Sequence, residues 1–193
     1  MHWQKVSLIG VGLLGGSLGL AIKERRLAEK VDGLVRRTAS IAECEKLGVV
    51  DHATRDLKRA VEHADLIVLC TPLNQMREMT EQMLPALRPG AIITDVGSVK
   101  GSVVAELEGI AARGGGSFVG SHPMAGGEKT GASAARADLF VNTTCIVTPT
   151  PNSKKEAVRQ VEEFWHAVGA RVVSRNPLAQ THACSAGWAG LRT

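Results

Sequence analysis

Short aliphatic runs alternate along the chain with longer stretches whose apolar residues recur at helical spacing. The aliphatic runs predict β-strands at Val6–Ile9, Val31–Val35, Leu66–Cys70, Ala91–Val96, Phe118–Ser121, Cys145–Thr148 and Arg171–Ser174. The amphipathic stretches predict helices at Leu13–Ile22 with a continuation to Arg26, and at Ile41–Leu47, Met76–Leu87, Ser102–Ala112 and Lys154–Val168. Strands that alternate with such helices need crossover connections, which predict a parallel sheet.

The order of these elements predicts an α/β fold of Rossmann type, a doubly wound and mostly parallel sheet with helices on both faces. We expect residues 1–174 to form this domain. Residues 175–193 are expected to be a divergent tail, disordered or truncated, because glycines interrupt them and no helical stripe is visible.

Composition supports a globular domain with an aliphatic core. Of 193 residues, 44% are hydrophobic, 22% are charged and 3% are aromatic. These proportions exclude disordered and fibrous classes. Since rings are scarce, Val, Leu, Ile and Ala must fill the core, which suits a buried parallel sheet.

Charge and cysteine spacing exclude several kinds of partner. The formal charge of +4 comes from scattered Lys and Arg, so we expect no nucleic-acid binding. The cysteines form no C-x-x-C pair, which indicates neither a metal site nor a disulfide scaffold and predicts a reducing cytoplasm. Glycines and then charged residues break the first apolar run, so we predict no signal peptide and no membrane span.

A glycine-rich turn follows the first predicted strand and opens the first helix. Gly10, Gly12 and Gly15 match G-x-G-x-x-G, with Leu13 and Leu14 between them. Such glycines allow a tight turn, a close approach of backbone to a pyrophosphate, and close packing of helix on strand. The helix N-terminus then offers N–H groups to the phosphates. A glycine turn that binds nothing is the alternative.

The end of the second predicted strand indicates which dinucleotide is bound. NAD enzymes place an acid there for the ribose 2′-hydroxyl, whereas NADP enzymes place cations there. Arg36, Arg37 and Thr38 stand at this position, and Asp32 lies at the wrong end of the strand. Guanidinium groups suit a dianionic 2′-phosphate, so we predict NADP, with NAD less favoured. A solvated basic turn is the alternative.

Three later strand ends carry polar residues that could reach the same crevice. Thr71 and Pro72 are predicted to form a backbone wall beside the cofactor. Ser98 could cap a helix or donate its hydroxyl into the crevice. His122 could be a general base near neutral pH, or a structural histidine.

The segments GVGLLGGSLG, CTP, DVGSVKG and GSHPMAGGEKTG, in this order and spacing, resemble the prephenate and arogenate dehydrogenases of tyrosine biosynthesis. The similarity covers roughly residues 4 to 174. It implies an oxidoreductase of aromatic amino acid biosynthesis that oxidatively decarboxylates prephenate to 4-hydroxyphenylpyruvate, or arogenate to tyrosine. The small-molecule substrate is then a cyclohexadienyl acid, and hydride goes to the nicotinamide of NADP.

The resemblance also implies roles for individual residues. His122 matches the catalytic histidine that takes the ring hydroxyl proton, and Ser98 matches the serine that orients this histidine beside the nicotinamide. Gly126, Gly127 and Glu128 match a substrate-binding segment, with Glu128 at the mouth of the active site. The Arg-Arg-Thr turn resembles family members that prefer NADP.

The resemblance ends after Ser174. Full-length family members continue into a helical domain that forms a homodimer and binds the substrate's carboxylates, and this portion is expected to be missing here. We therefore expect a truncated or frameshifted form of weak activity, for which dimerisation is doubtful. The alternatives are a catalytically silent NADP-binding module and another Rossmann hydroxy-acid dehydrogenase, although the latter would carry a catalytic lysine on a following helical domain.

Overall fold

The computed structural model describes residues 2–98 and 101–175, without the side chain of Ser102. The predicted tail, apart from Arg175, lies outside the described residues.

Six parallel strands form the main sheet in the order β3-β2-β1-β4-β5-β6. The strands are β1 (Trp3–Ile9), β2 (Ala28–Leu34), β3 (His52–Thr54), β4 (Leu66–Leu69), β5 (Ile92–Asp95) and β6 (Ser117–Phe118). The helices are α1 (Leu13–Glu24), α2 (Ala39–Lys46), α3 (Leu57–Val61), α4 (Leu73–Met83), α5 (Gly101–Arg113) and α6 (Lys155–Ala167). This strand order reverses direction between β1 and β4, which is the switch point of a Rossmann sheet.

Helices cover both faces of this sheet, and the strands supply a core on each side. In β4, Leu66 and Val68 pack into one hydrophobic cluster together with residues of α1 and α6. Ile67 and Leu69 point to the opposite face and pack with residues of α3, α4 and α5. All four side chains are fully buried, so the continuous apolar run follows from burial on both faces. The predicted doubly wound architecture is confirmed.

A second sheet of three strands holds the later part of the chain. It consists of β7 (Gly120–Pro123), β8 (Thr144–Thr148) and β9 (Arg171–Ser174) in that order. β7 runs antiparallel to β8, and α6 carries the chain from β8 to its parallel neighbour β9. The prediction of one strand at Phe118–Ser121 is wrong, because the chain leaves the main sheet after Val119, whose N–H still donates to the Ile93 carbonyl.

Two short elements, β3 and α3, were not predicted from the hydrophobic pattern. β3 has three residues and α3 has five, too few to show a period. The predicted helix Met76–Leu87 instead begins at Leu73 and ends at Met83, where a 3₁₀ turn with Pro85 in its first positions follows. In the part of the chain that is described, no helix is long and apolar enough to cross a bilayer.

Candidate active site

The carboxyl ends of five parallel strands lie in one row. Ile9 of β1 is paired with Leu34 of β2 and with Leu69 of β4. Leu34 is paired in turn with Thr54 of β3, and Leu69 with Asp95 of β5. The residues that follow these five strand ends therefore leave the sheet at the same edge, where ligands of open α/β sheets bind. The predicted glycine turn, arginine turn, Thr71-Pro72 wall and Ser98 all lie there.

Gly10 and Gly15 make the turn between β1 and α1 unusually tight. Gly10 has φ of +103°, and a Cβ there would lie 2.9 Å from the Cys70 carbonyl oxygen. A Cβ on Gly15 would lie 2.1 Å from the Gly10 carbonyl oxygen. Neither position tolerates a side chain, because the turn brings α1 directly against the ends of β1 and β4.

The N-terminus of α1 is open toward the edge of the sheet. Its N-cap residue, Gly12, offers no capping side chain, and the first turn contains no acid. Apart from Gly12 and its two chain neighbours, no atom among the described residues lies within 4 Å of a Cβ built on Gly12. Unpaired N–H groups beside open space fit a pyrophosphate, so this cradle suits a dinucleotide.

The turn after β2 presents cations to solvent. Val35 is buried, whereas Arg36, Arg37 and Thr38 are exposed. Among the described residues, no carboxylate lies within ion-pair distance of either guanidinium. β2 carries two acids: Glu29 stands at its amino end, and Asp32 is buried and pairs with Lys5 at 2.8 Å. Neither acid lies at the carboxyl end of β2, where a ribose 2′-hydroxyl would be bound.

The chain after β4 forms one wall of the crevice beside Gly10. The Thr71 methyl group lies 3.1 Å from the Cβ position of Gly10, and Pro72 is the N-cap residue of α4. The Thr71 hydroxyl is buried and has no hydrogen-bond partner among the described residues, as expected where a ligand would supply one. Burial, and secondly the Asp95 carboxylate, raise the pKa of the Cys70 thiol, so it is neutral and not a nucleophile.

Asp95 connects the end of β5 to β7. The side chain is fully buried, and its Oδ1 accepts the Ser121 N–H at 3.0 Å. Its Oδ2 accepts the Gly97 N–H at 2.9 Å. The Ser121 hydroxyl donates to the Asp95 carbonyl at 2.6 Å and lies 2.8 Å from the Thr94 hydroxyl. One carboxylate therefore holds the residues that immediately precede Ser98 and His122.

His122 lies half-buried on β7, opposite Ile146 of β8. Successive side chains of a strand point to opposite faces, so His122 points away from the face on which Ser121 contacts Asp95. Ser98 is exposed between β5 and α5. Both residues have further interactions within the chain.

The loop after β7 folds back over α1. A Cβ on Gly127 would lie 3.3 Å from a terminal carbon of Leu13, so this loop touches the first turn of the helix. Further along, the Arg136 N–H donates to the buried Ser17 hydroxyl of α1 at 2.9 Å. Gly126, Gly127 and Glu128 are exposed at the rim. The structure thereby brings the segment containing His122 to the helix that would bind the pyrophosphate.

Two residues of this edge were not singled out from the sequence. Asp95 was noted only as part of its motif, because its hydrogen bonds reach residues 26 positions away. Arg55 was missed because it follows the unpredicted strand β3. For Asp95 the available signal was a carboxylate at the end of a predicted strand, whereas the sequence offered no such signal for Arg55.

The strand order, the glycine turn and the uncapped helix at the switch point define a domain of the dinucleotide-binding Rossmann class. The family model described as prephenate dehydrogenase, nucleotide-binding domain, matches residues 18–174, and the chain belongs to this family.

Relatives and solved structures agree with this assignment. The prephenate dehydrogenase of Bacillus subtilis is 34% identical over 173 residues, which cover 89% of this chain and 46% of the relative. The cyclohexadienyl dehydrogenase of Zymomonas mobilis is 32% identical, with 88% of this chain and 57% of the relative covered. The chain thus spans about half the length of these curated relatives.

Two solved structures match the fold over most of the chain. Prephenate dehydrogenase from A. aeolicus, in complex with hydroxyphenyl propionate and NAD+, has a TM-score of 0.86 and 31% identity, covering 93% of this chain and 62% of that one. Synechocystis arogenate dehydrogenase has a TM-score of 0.87 and 28% identity, covering 94% of this chain and 63% of that one.

Within the described residues, no group of three or more His, Cys, Asp and Glu side chains could hold a metal ion.

Proposed function

We propose that this chain is the cofactor-binding and proton-accepting part of an NADP-dependent dehydrogenase that oxidatively decarboxylates prephenate or arogenate. The observation that carries the proposal is the convergence at one sheet edge. An open helix N-terminus, an arginine turn and the segment that contains His122 are held together there by the strand register and by Asp95. Membership of the prephenate dehydrogenase family supports the substrate class.

NADP is proposed because of the charges at the end of β2. The A. aeolicus structure contains NAD+, so the family does not by itself decide between the cofactors. Arg36 and Arg37 are exposed without a carboxylate partner in the described part of the chain, and Asp32 is occupied by Lys5. A 2′-phosphate would supply the missing negative charge through charge-assisted hydrogen bonds.

In the proposed mechanism, His122 accepts the proton of the substrate's ring hydroxyl, and Ser98 holds the imidazole and substrate in line. The bound nicotinamide supplies the hydride acceptor. As the hydroxyl carbon loses its hydride and gains carbonyl character, loss of its proton to His122 lowers the barrier. The ring carboxylate then leaves as CO₂, and the electron pair of that bond completes the aromatic ring.

The loop that follows His122 is proposed to border the substrate. Gly126 and Gly127 carry no side chains where the loop approaches α1, which leaves room above the helix N-terminus. Glu128 is exposed at the rim of this space. The remaining substrate contacts are assigned to the part of the longer family polypeptides that this chain does not match. We place the carboxylate-binding groups and the dimer contacts in that part.

Charge reversal at the arginine turn tests the cofactor proposal. Arg36→Asp is expected to weaken NADPH binding by about 10- to 100-fold and to leave NADH binding equal or tighter, because an acid repels the 2′-phosphate and accepts the ribose 2′-hydroxyl. Fluorescence titration of the protein with each reduced cofactor measures both affinities. Lys154→Asp, the same charge change on the exposed N-cap residue of α6, is the matched control. Unchanged selectivity in Arg36→Asp would count against a phosphate site at this turn.

A further inference from the structure

We propose that Arg55 is a third determinant of specificity for the phosphorylated cofactor, acting on the turn formed by residues 36–38. This inference rests on the proposed function. It concerns a residue that follows β3, on a different strand from the arginine turn. The role assigned is to hold the turn in its phosphate-binding shape and to add a positive charge to it.

The position of Arg55 follows from the strand register. Thr54 ends β3 opposite Leu34, the last residue of β2. The pairing continues for one residue, since the Val35 N–H donates to the Thr54 carbonyl at 2.9 Å. Arg55 therefore leaves β3 beside the place where Arg36 leaves β2.

The Arg55 side chain is bonded to both ends of the turn. Its Nε donates to the Arg36 carbonyl at 3.1 Å, and its Nη1 donates to the Thr38 hydroxyl at 3.3 Å. Thr38 is the N-cap residue of α2, yet its side chain makes no capping hydrogen bond. Because the Thr38 hydroxyl oxygen accepts the hydrogen bond from Arg55, the Thr38 O–H group can donate its own proton to a phosphate oxygen.

The charges around Arg55 also favour an anionic ligand. No carboxylate within the described residues lies at ion-pair distance from Arg55, so three guanidinium groups surround the turn without a counter-charge. The adjacent acid, Asp56, is engaged as the N-cap of α3, where it accepts the Arg59 N–H at 3.2 Å. A dianionic phosphate is the ligand class that such a cluster selects, whereas a neutral 2′-hydroxyl gains little from it.

Isothermal titration with adenosine 2′,5′-bisphosphate and with 5′-AMP isolates the contribution of the 2′-phosphate. In Arg55→Ala, affinity for the bisphosphate is expected to fall by about tenfold while affinity for 5′-AMP changes less than about twofold. Arg55→Lys retains the charge and loses the two-bond fork, so its loss should be intermediate. Arg59→Ala removes the same charge from an exposed position four residues along and should change neither affinity.

The outcomes separate this inference from the proposed function. If the unmodified protein binds the bisphosphate no better than 5′-AMP, the proposed preference for NADP fails. If it does prefer the bisphosphate and Arg55→Ala keeps that preference, or loses both affinities equally, the role of Arg55 is overturned. A melting temperature equal to that of the unmodified protein shows that each variant is folded. If Arg55→Ala does not fold, Arg55→Lys replaces it as the test variant.

Discussion

Replacement of His122 by Asn is expected to lower the turnover of prephenate and arogenate with NADP by about 10²- to 10⁴-fold, because the group proposed to take the hydroxyl proton is lost. NADPH affinity should change less than about twofold, since the proposed cofactor cradle lies at Gly12 and the arginine turn. Turnover is measured as NADPH formation coupled to CO₂ release. It is measured on this chain and on the chain extended by the helical domain of a family member.

His52→Asn is the matched control for this experiment. His52 is an exposed histidine at the start of β3, the strand farthest from β6 in the main sheet, and its replacement should leave turnover unchanged. Equal rates for His122→Asn and the unmodified protein would contradict the assignment of the base. If the unmodified protein binds cofactor but shows no turnover, either alone or extended by the helical domain, a catalytically silent module would be favoured instead.

Replacement of Gly15 by Ala is expected to abolish tight NADPH binding and to destabilise the fold by about 2 kcal/mol. The new methyl group would lie 2.1 Å from the Gly10 carbonyl oxygen, so α1 must move away from the end of β1. Movement of the helix also displaces the N–H groups proposed to bind the pyrophosphate. Denaturant unfolding and NADPH titration measure the two effects.

Gly12→Ala separates cofactor binding from folding. Beyond its two chain neighbours, the added methyl group meets no atom of the described chain, so the free energy of unfolding should fall by about 1 kcal/mol or less, as for an N-cap change. The same methyl group would occupy the space proposed for the pyrophosphate, so NADPH affinity should still fall by about 10-fold or more. Unchanged NADPH affinity in this variant would place the cofactor elsewhere.

Much of the main sheet could be predicted from the sequence because its central strands are buried on both faces. The uninterrupted aliphatic run of β4 and the apolar residues of β1 and β5 follow from that burial. The division of Phe118–Ser121 between two sheets could not be predicted, because the break at Val119 depends on contacts with Ile93 and Asp95, which are distant in the sequence. The antiparallel pairing of β7 with β8 is likewise a tertiary choice that no local period encodes.

The candidate site, too, could be predicted from the sequence only in part. The glycine turn was visible from the sequence because each glycine lies at a fixed offset from a strand end, and the structure shows why Gly10 and Gly15 lack side chains. Arg55 was not visible, since its contact with Thr38 spans 17 positions and depends on a strand of three residues. The role of Asp95 required the position of Ser121, which is known only once the second sheet is formed.

The claim on which the other proposals depend is that this chain binds a dinucleotide at the carboxyl edge of its sheet and prefers the phosphorylated form. Fluorescence titration of the unmodified protein with NADPH and with NADH, at one fixed salt concentration, tests it most directly. Saturable binding of both cofactors is expected, with NADPH bound at least about tenfold more tightly, because three guanidinium groups would face the 2′-phosphate. Equal affinities, tighter binding of NADH, or no binding of either cofactor would contradict it.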